Sequence, residues 1–510
     1  MIPPCLFERK SFVRLPILLS LSMLILPAAA FSSDAPLSLT LNEAIRMAVE
    51  KNLDVRAELY NPAQYEAEIN RNRSIYDPLL TLQTNYTDSA AATATSSTGI
   101  QATKFQTLDI NSSLSQLFWT GGTVALKFNN SHTNSNSSII DYSSSWQTGL
   151  GASISQPLLK NAGREATEIA INISRFSKFA SLERFNSRLL ATVAQVRNEY
   201  YKLYSLREER EVKKVSLELA RRILSETQAR VKAGVLPAME VLNAEYGAVT
   251  REKELIDAER AVNDQVDVLR LLLQMDAKVG ELKTTDLPPR DLVATVESDA
   301  IQKALNRPDI REQKRNLELA ELQTKNLNNK IRPDLNLTAA VQLTGLDSAY
   351  QRNIDKVITF DYPVWSVGLK LDYPLGNGVA ENDYRKSRLK TEQTSLQLRS
   401  LEESSTKEVK AAIRGVVVGY KQLEVTDRGK VFAEERLRSF MRKNEVGLAT
   451  TKDVLDVEND LAVSKSNQIK AIVGYANALT TFWQVTGELV EREGIRVVEG
   501  DADKLYSATH

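Results

Sequence analysis

The stretch "NEVGLATTKDVLDVEND", Asn444 to Asp460, has an echo 213 residues upstream in "VKAGVLPAMEVLNAEYG", Val231 to Gly247. With Gly234 set under Gly447, Val241 and Leu242 fall on Val454 and Leu455, Glu240 on Asp453 and Glu245 on Glu458. A glycine between two runs of helix-forming residues lets the backbone reverse without a Cβ penalty. The chain therefore encodes the same helical hairpin twice. At 510 residues it is also too long for one ordinary domain, which makes an internal repeat the first thing to look for.

Further landmarks recur in the same order. From Leu39 to about Tyr76 the chain reads as helix, with Asn42 or Thr40 as the cap, and a similar start returns in "DAIQKALNRPDIREQ", Asp299 to Gln313. Each start is followed by a proline, Pro78 or Pro333, and then by alternation: Leu80, Leu82 and Tyr86 share one face, as do Leu335, Leu337, Val341 and Leu343. Two further strands end in Pro157 and Pro374 and pass through glycine into long helices. Proline suits a strand end because it lacks the donor that a continuing ladder needs. The repeating unit is helix, strands, long helix, glycine turn, helix.

The long helices carry a coiled-coil seam. Between about Arg164 and Lys232 there is no proline or glycine, and Leu182, Phe185, Leu189, Val193, Val196, Tyr200 and Leu203 recur at steps of three and four. Val409, Ile413, Val416, Tyr420 and Leu423 do the same in the second half. The strands carry a different signal. Val124, Leu126 and Phe128 alternate with Thr123, Ala125 and Lys127, and Trp365, Val367, Leu369 and Leu371 alternate with Ser366, Gly368, Lys370 and Asp372, so one face suits lipid and the other water. Trp119, Trp146 and Trp365 lie in these segments, as interfacial girdles require. The runs "TDSAAATATSSTGIQATK" and "NSHTNSNSSIIDYS" read as exposed polar loops, and Thr120 to Gly122 as a tight hairpin turn at the opposite end. Too few strands are present for one chain to close a barrel of at least eight, so the geometry demands an oligomer.

Arg9, Lys10 and Arg14 precede the apolar run Leu15 to Leu26, and Ala28-x-Ala30 follows, which reads as a secretory signal peptide cut after Ala30. Cleavage removes Cys5, the single cysteine. Losing three basic residues and Glu8 takes 65 positive and 65 negative charges to 62 and 64, a balance that gives no reason to expect nucleic acid as partner. No later segment is apolar for long enough to form a transmembrane helix. Chemistry is equally unsupported: His132 and His510 are the only histidines, no zinc set can be assembled, and no phosphate-binding glycine loop opens a helix. No catalytic residue, metal or cofactor is expected.

On "LTLNEAIRMAVEKNLDV", "SISQPLLKNAG", "LKLDYPLGNG" and above all "VGLATTKDVLDVEN", the chain resembles the TolC-like outer membrane efflux protein family over nearly its whole mature length. The resemblance implies an α+β membrane protein: a trimeric transmembrane β-barrel continued by a long α-helical coiled-coil periplasmic tunnel and built from two internal repeats. Its implied divisions are a signal peptide at 1–30, a first repeat at 31–277, an equatorial linker at 278–296, a second repeat at 297–486 and an equatorial tail at 487–510. It also implies a place in the outer membrane of a Gram-negative bacterium. The implied partners are two further copies of the chain, a periplasmic adaptor (membrane fusion) protein, an inner-membrane transporter and outer-membrane lipid.

By the same resemblance Gly234, Gly447, Val446 and Leu448 form the tip turns where the adaptor docks. Asp453, Asp456 and Glu240 ring the gate, although acids there also suit the first turn of any helix. Pro78, Pro157, Pro333 and Pro374 mark the passage from barrel to tunnel. Two departures stand out. Certain members latch the gate with a tyrosine and an arginine, where this chain has Asn444 and Ala449. The first half also holds room for an added hairpin, Phe105 to Phe118 and Thr123 to Asn130, beyond the usual four strands per chain. The implied function is the exit duct of a tripartite efflux system. An exit duct for type I protein secretion, or a periplasmic coiled-coil structural protein, would be the alternatives.

Overall fold

The computed structural model describes residues 37–95, 99–136, 142–276, 282–495 and 500–508; the signal segment and His510 lie outside these residues. In chain order the elements are β1 (Leu37–Leu39), α1 (Leu41–Lys51), α2 (Leu53–Arg73), β2 (Leu79–Thr95), β3 (Gly99–Leu117), β4 (Thr123–Ser135) and β5 (Ser144–Pro157). Then come α3 (Arg164–Thr167), α4 (Ile169–Lys232), α5 (Met239–Leu273), β6 (Leu282–Thr284), α6 (Glu297–Ala304) and α7 (Pro308–Lys330). The chain closes with β7 (Asp334–Asp347), α8 (Tyr350–Ile358), β8 (Tyr362–Asp372), α9 (Gly378–Glu445), α10 (Thr451–Thr486), α11 (Leu489–Arg492) and α12 (Gly500–Ser507).

The helices dominate. The 64 residues of α4 and the 68 of α9 make rods of about 100 Å at the helical rise. Their apolar seam is what packs: Phe185, Leu189, Val193, Val196, Tyr200 and Leu203 are buried along α4, as are Val409, Val416 and Leu423 along α9. Near the sheet the packing order is α2, α4, α7, α9, and farther away it is α5, α4, α10, α9. So α4 and α9 run the full length, while the shorter helices share the remaining two columns. The first helical stretch is not continuous. Asn52 ends α1 and caps α2 through its side chain, and Thr40 starts α1 in a capping box with Glu43.

Where the columns change over, β1 pairs in parallel with β6. Tyr200, fully buried on α4, donates its hydroxyl to the Leu39 carbonyl at 2.8 Å and accepts from the Thr285 and Asp286 amides at 3.1 Å. On α10 Tyr475 makes a matching link, donating to the Asp291 carbonyl at 2.6 Å. One buried tyrosine on α4 and one on α10 thus tie the segment near residues 282–293 to helices of both halves.

Among the described residues six strands form one antiparallel sheet in the order β2-β3-β4-β5-β7-β8. The added hairpin is therefore real, with four strands from the first half and two from the second. The strands also extend into the runs read from sequence as loops. β2 and β3 pair as far as Thr95 with Gly99, and β4 reaches Ser135. The correction has a physical cause: polar threonine and alanine stretches pair well when a long partner strand lies beside them, and composition alone does not reveal the partner. At the other end Thr120 to Gly122 is the tight turn, with the Gly121 amide donating to the Phe118 carbonyl at 2.9 Å.

Residues paired directly across a sheet share a face. Through the register, Leu80, Leu82 and Tyr86 of β2 lie on the same side as Leu108, Ile110 and Leu114 of β3 and Val124, Leu126 and Phe128 of β4. That side continues through Leu150, Ala152 and Ile154 of β5, Leu337, Ala339 and Val341 of β7, and Trp365, Val367 and Leu369 of β8. The opposite side carries Gln83, Asn85, Asn111, Lys127, Ser153, Thr338 and Lys370. No helix of the described residues is long and apolar enough to cross a membrane. The apolar sheet face suits lipid.

Candidate functional site: the paired helix tips

Both glycine turns close with the same bonds. Gly234 has φ +73° and Gly447 φ +78°. The Gly234 amide donates to Val231 and the Val235 amide to Arg230, at 3.0 and 2.9 Å. In the second turn Gly447 donates to Asn444 and Leu448 to Lys443, at 3.1 and 2.8 Å. These are Schellman caps, in which a left-handed residue just past the helix satisfies its last carbonyls. Around the turns Val235, Val446 and Leu448 stand exposed at 69%, 70% and 78% of their surface, leaving a small apolar tip on each hairpin.

The two helices that leave the turns start differently. Thr450 caps α10: its hydroxyl accepts from the Asp453 amide at 3.1 Å, and the Asp453 carboxylate accepts from the Thr450 amide and hydroxyl at 2.8 and 2.7 Å. The backbone bond to Thr450, with its hydroxyl, holds the Asp453 carboxyl below the usual aspartate range. Three residues on, Asp456 is exposed on the open stripe of α10, with no hydrogen bond or ion pair to the described residues. In the first hairpin Pro237 stands where Thr450 would be, and α5 has no side-chain cap. Glu240 consequently makes no capping box, and its Oε2 is buried without a hydrogen bond.

Side chains that the sequence did not mark connect the hairpins. Arg230, at the end of α4, donates to the carbonyl and Oδ1 of Asn444 at 3.2 and 3.4 Å, and Asn444 donates to the Ala449 carbonyl at 2.9 Å. Asn444 and Ala449 are thus bonded to each other and reached by the first hairpin. Deeper in, the buried Glu458 of α10 accepts from Ser216 of α4 and, at 3.1 Å, from the buried Arg251 of α5. Arg251 also reaches Glu254 at 3.3 Å, and Lys213 pairs with Glu254 at 2.8 Å. One sequence signal could have exposed this network: Glu458 interrupts the apolar stripe of Val454, Leu455, Val457 and Ala462.

The four prolines lie at the opposite end of the helices. Pro78 precedes β2, Pro157 closes β5, Pro333 precedes β7 and Pro374 follows β8 by two residues. The geometry brings them to one border between sheet and helices, and brings Gly234, Gly447, Asp453, Asp456 and Glu240 to the two tips about 100 Å away.

The profile of a family described as outer membrane efflux protein matches residues 44–273 and 300–488. No match is found among curated proteins. Among solved structures the chain is similar to the outer membrane protein VceC of Vibrio cholerae, at 15% identity and TM-score 0.64, over 88% of this chain and 96% of that one. It is also similar to the Campylobacter jejuni outer membrane channel CmeC, at 14% identity and TM-score 0.63, over 92% and 89%. The Neisseria gonorrhoeae outer membrane channel MtrE, in its open state, matches at 18% identity and TM-score 0.58, over 88% of each chain. The likeness of fold extends over sheet and helices alike, and the family profile covers both halves of the repeat: the chain belongs to the outer membrane efflux protein family.

Proposed function

We propose that three copies of this chain form the outer-membrane exit duct of a tripartite export system in a Gram-negative bacterium, with the helices projecting into the periplasm. The observation that carries the reading is the six-stranded sheet, apolar on one face and polar on the other in unbroken phase, continuous with helices about 100 Å long. An open sheet with two free edges cannot stay in hydrocarbon, so its copies close on one another. The duct performs no chemistry. Substrate arrives from an inner-membrane transporter through a periplasmic adaptor, and the exposed apolar tips at Val446 and Leu448, beside Gly447 and Gly234, are the docking surface. Opening follows from the adaptor binding the open arrangement more tightly than the closed one.

In this reading Asp453, Asp456 and Glu240 are repeated threefold around the tunnel mouth and favour cations there. Planar-bilayer recording of the purified assembly tests the duct. Discrete cation-preferring conductance that divalent or trivalent cations block is the expected result, and a protein that inserts without conducting overturns it.

A further inference from the structure

The helix-side ends of the six strands are not level. Passing from Leu79 across the hydrogen bonds, the register leads to Ser115, Ala125, Ser153, Ala340 and Ser366. The strand ends fall progressively below that line: two residues at Leu117 and Thr123, four at Pro157, six at Asp334 and Asp372. A sheet staggered this way has strands tilted against the border that its ends define.

We propose that all six strands enter the wall and that three copies close a barrel of eighteen strands. In it β8 of one copy runs antiparallel to β2 of the next, in the register that sets Asp372 against the partner's Leu79. The proposal rests on the trimeric duct above but departs from the four strands per chain that the family resemblance implies. Direction fits: β2 leaves the helices after α2, and β8 returns to them at α9. Neighbouring copies therefore meet antiparallel, as every other pair in the sheet does.

Phase fits as well. The register sets Leu371, Leu369 and Trp365 against the partner's Leu80, Leu82 and Tyr86, keeping the apolar faces of both edges on one side. The tilt closes the argument. A six-residue step over six strands, at about 3.4 Å per residue and about 4.8 Å per strand, gives a tilt of about 35°. Membrane barrels tilt by about 35–45°. Setting β2 and β3 aside would leave their apolar face, Leu80, Leu82, Ile110 and Leu114, without lipid. Barrel diameter grows about linearly with strand number, so the exit is about 1.5 times as wide as that of a twelve-stranded wall.

Cysteine pairs decide between the two walls, because the only native cysteine is Cys5 in the signal segment. Directly opposed residues bring Cα atoms within disulfide reach. The full-length chain carrying Leu369→Cys and Leu82→Cys, oxidised in its own membrane, should migrate under denaturing conditions as linked dimers and trimers. Leu369→Cys with Leu126→Cys, the pair opposed if β4 met β8 at the seam, should stay monomeric. Linkage through Leu126, or through neither pair in an assembly of trimeric mass, overturns the eighteen-stranded wall and leaves the duct standing. A folded protein of monomeric mass in detergent overturns both. The single-cysteine variants, checked for heat-modifiable migration, establish that the barrel has folded.

Discussion

At Asp453 a single carboxylate is committed to the start of α10 before it can meet anything in a tunnel mouth. Asp456 carries no such commitment. Asp456→Ala alone should therefore remove most of the divalent-cation block in bilayer recordings, with Asp453→Ala adding less. An Asp456→Ala channel that is blocked like the parent would remove Asp456 from the gate. Thr450→Ala should cost about 1 kcal/mol of helix-start stability, read as faster amide exchange confined to the first turn of α10. The cap also responds to acid. The Asp453 carboxyl is held below its ordinary range, so its contribution is complete above the unfolded value and is lost as pH falls through the folded one. Protection of that turn, corrected for intrinsic exchange, should persist at neutral pH and decline only well into the acid range. The acid at Asp453 was legible as suited to the first turn of a helix, and its cap Thr450 emerged only with the structure. The Arg230–Asn444 contact was not, because it joins residues 214 apart whose chemistry is unremarkable in either local context.

At the scale of elements, the long helices were legible because proline and glycine are absent and the apolar step of 3.5 persists for many turns. The strands were legible only in their amphipathic portions. Their outer halves, rich in threonine, serine and alanine, become strand through pairing with a neighbour, which is a property of two segments and not of one. Glu458 stood out in its apolar stripe, but its partners were hidden for the same reason, since it finds Arg251 and Ser216 only when α4, α5 and α10 pack. Removing one member of a buried ion pair strands the other, at about 3–5 kcal/mol, whereas replacing both by apolar groups can be neutral. Glu458→Leu should lower the midpoint of denaturant unfolding sharply, and Glu458→Leu with Arg251→Leu should recover most of the loss. Independent, additive losses would mean that the pair does not hold the hairpins together.

Over the whole molecule, the repeat read from two glycine turns accounts for the paired long helices and the matched prolines at the border. What the repeat does not supply is symmetry of the sheet, because the first half gives four strands and the second two. The number of strands was readable in principle from the alternation in β3 and β4, yet their place in one sheet depends on register that only the folded chain displays. The two free edges, β2 and β8, are what the proposed duct closes by assembling three copies. Light scattering of the purified mature protein in detergent, corrected for bound detergent, tests this most directly. The account predicts a protein mass three times that of the mature chain; the mass of a single chain, with helical circular dichroism intact, would contradict it.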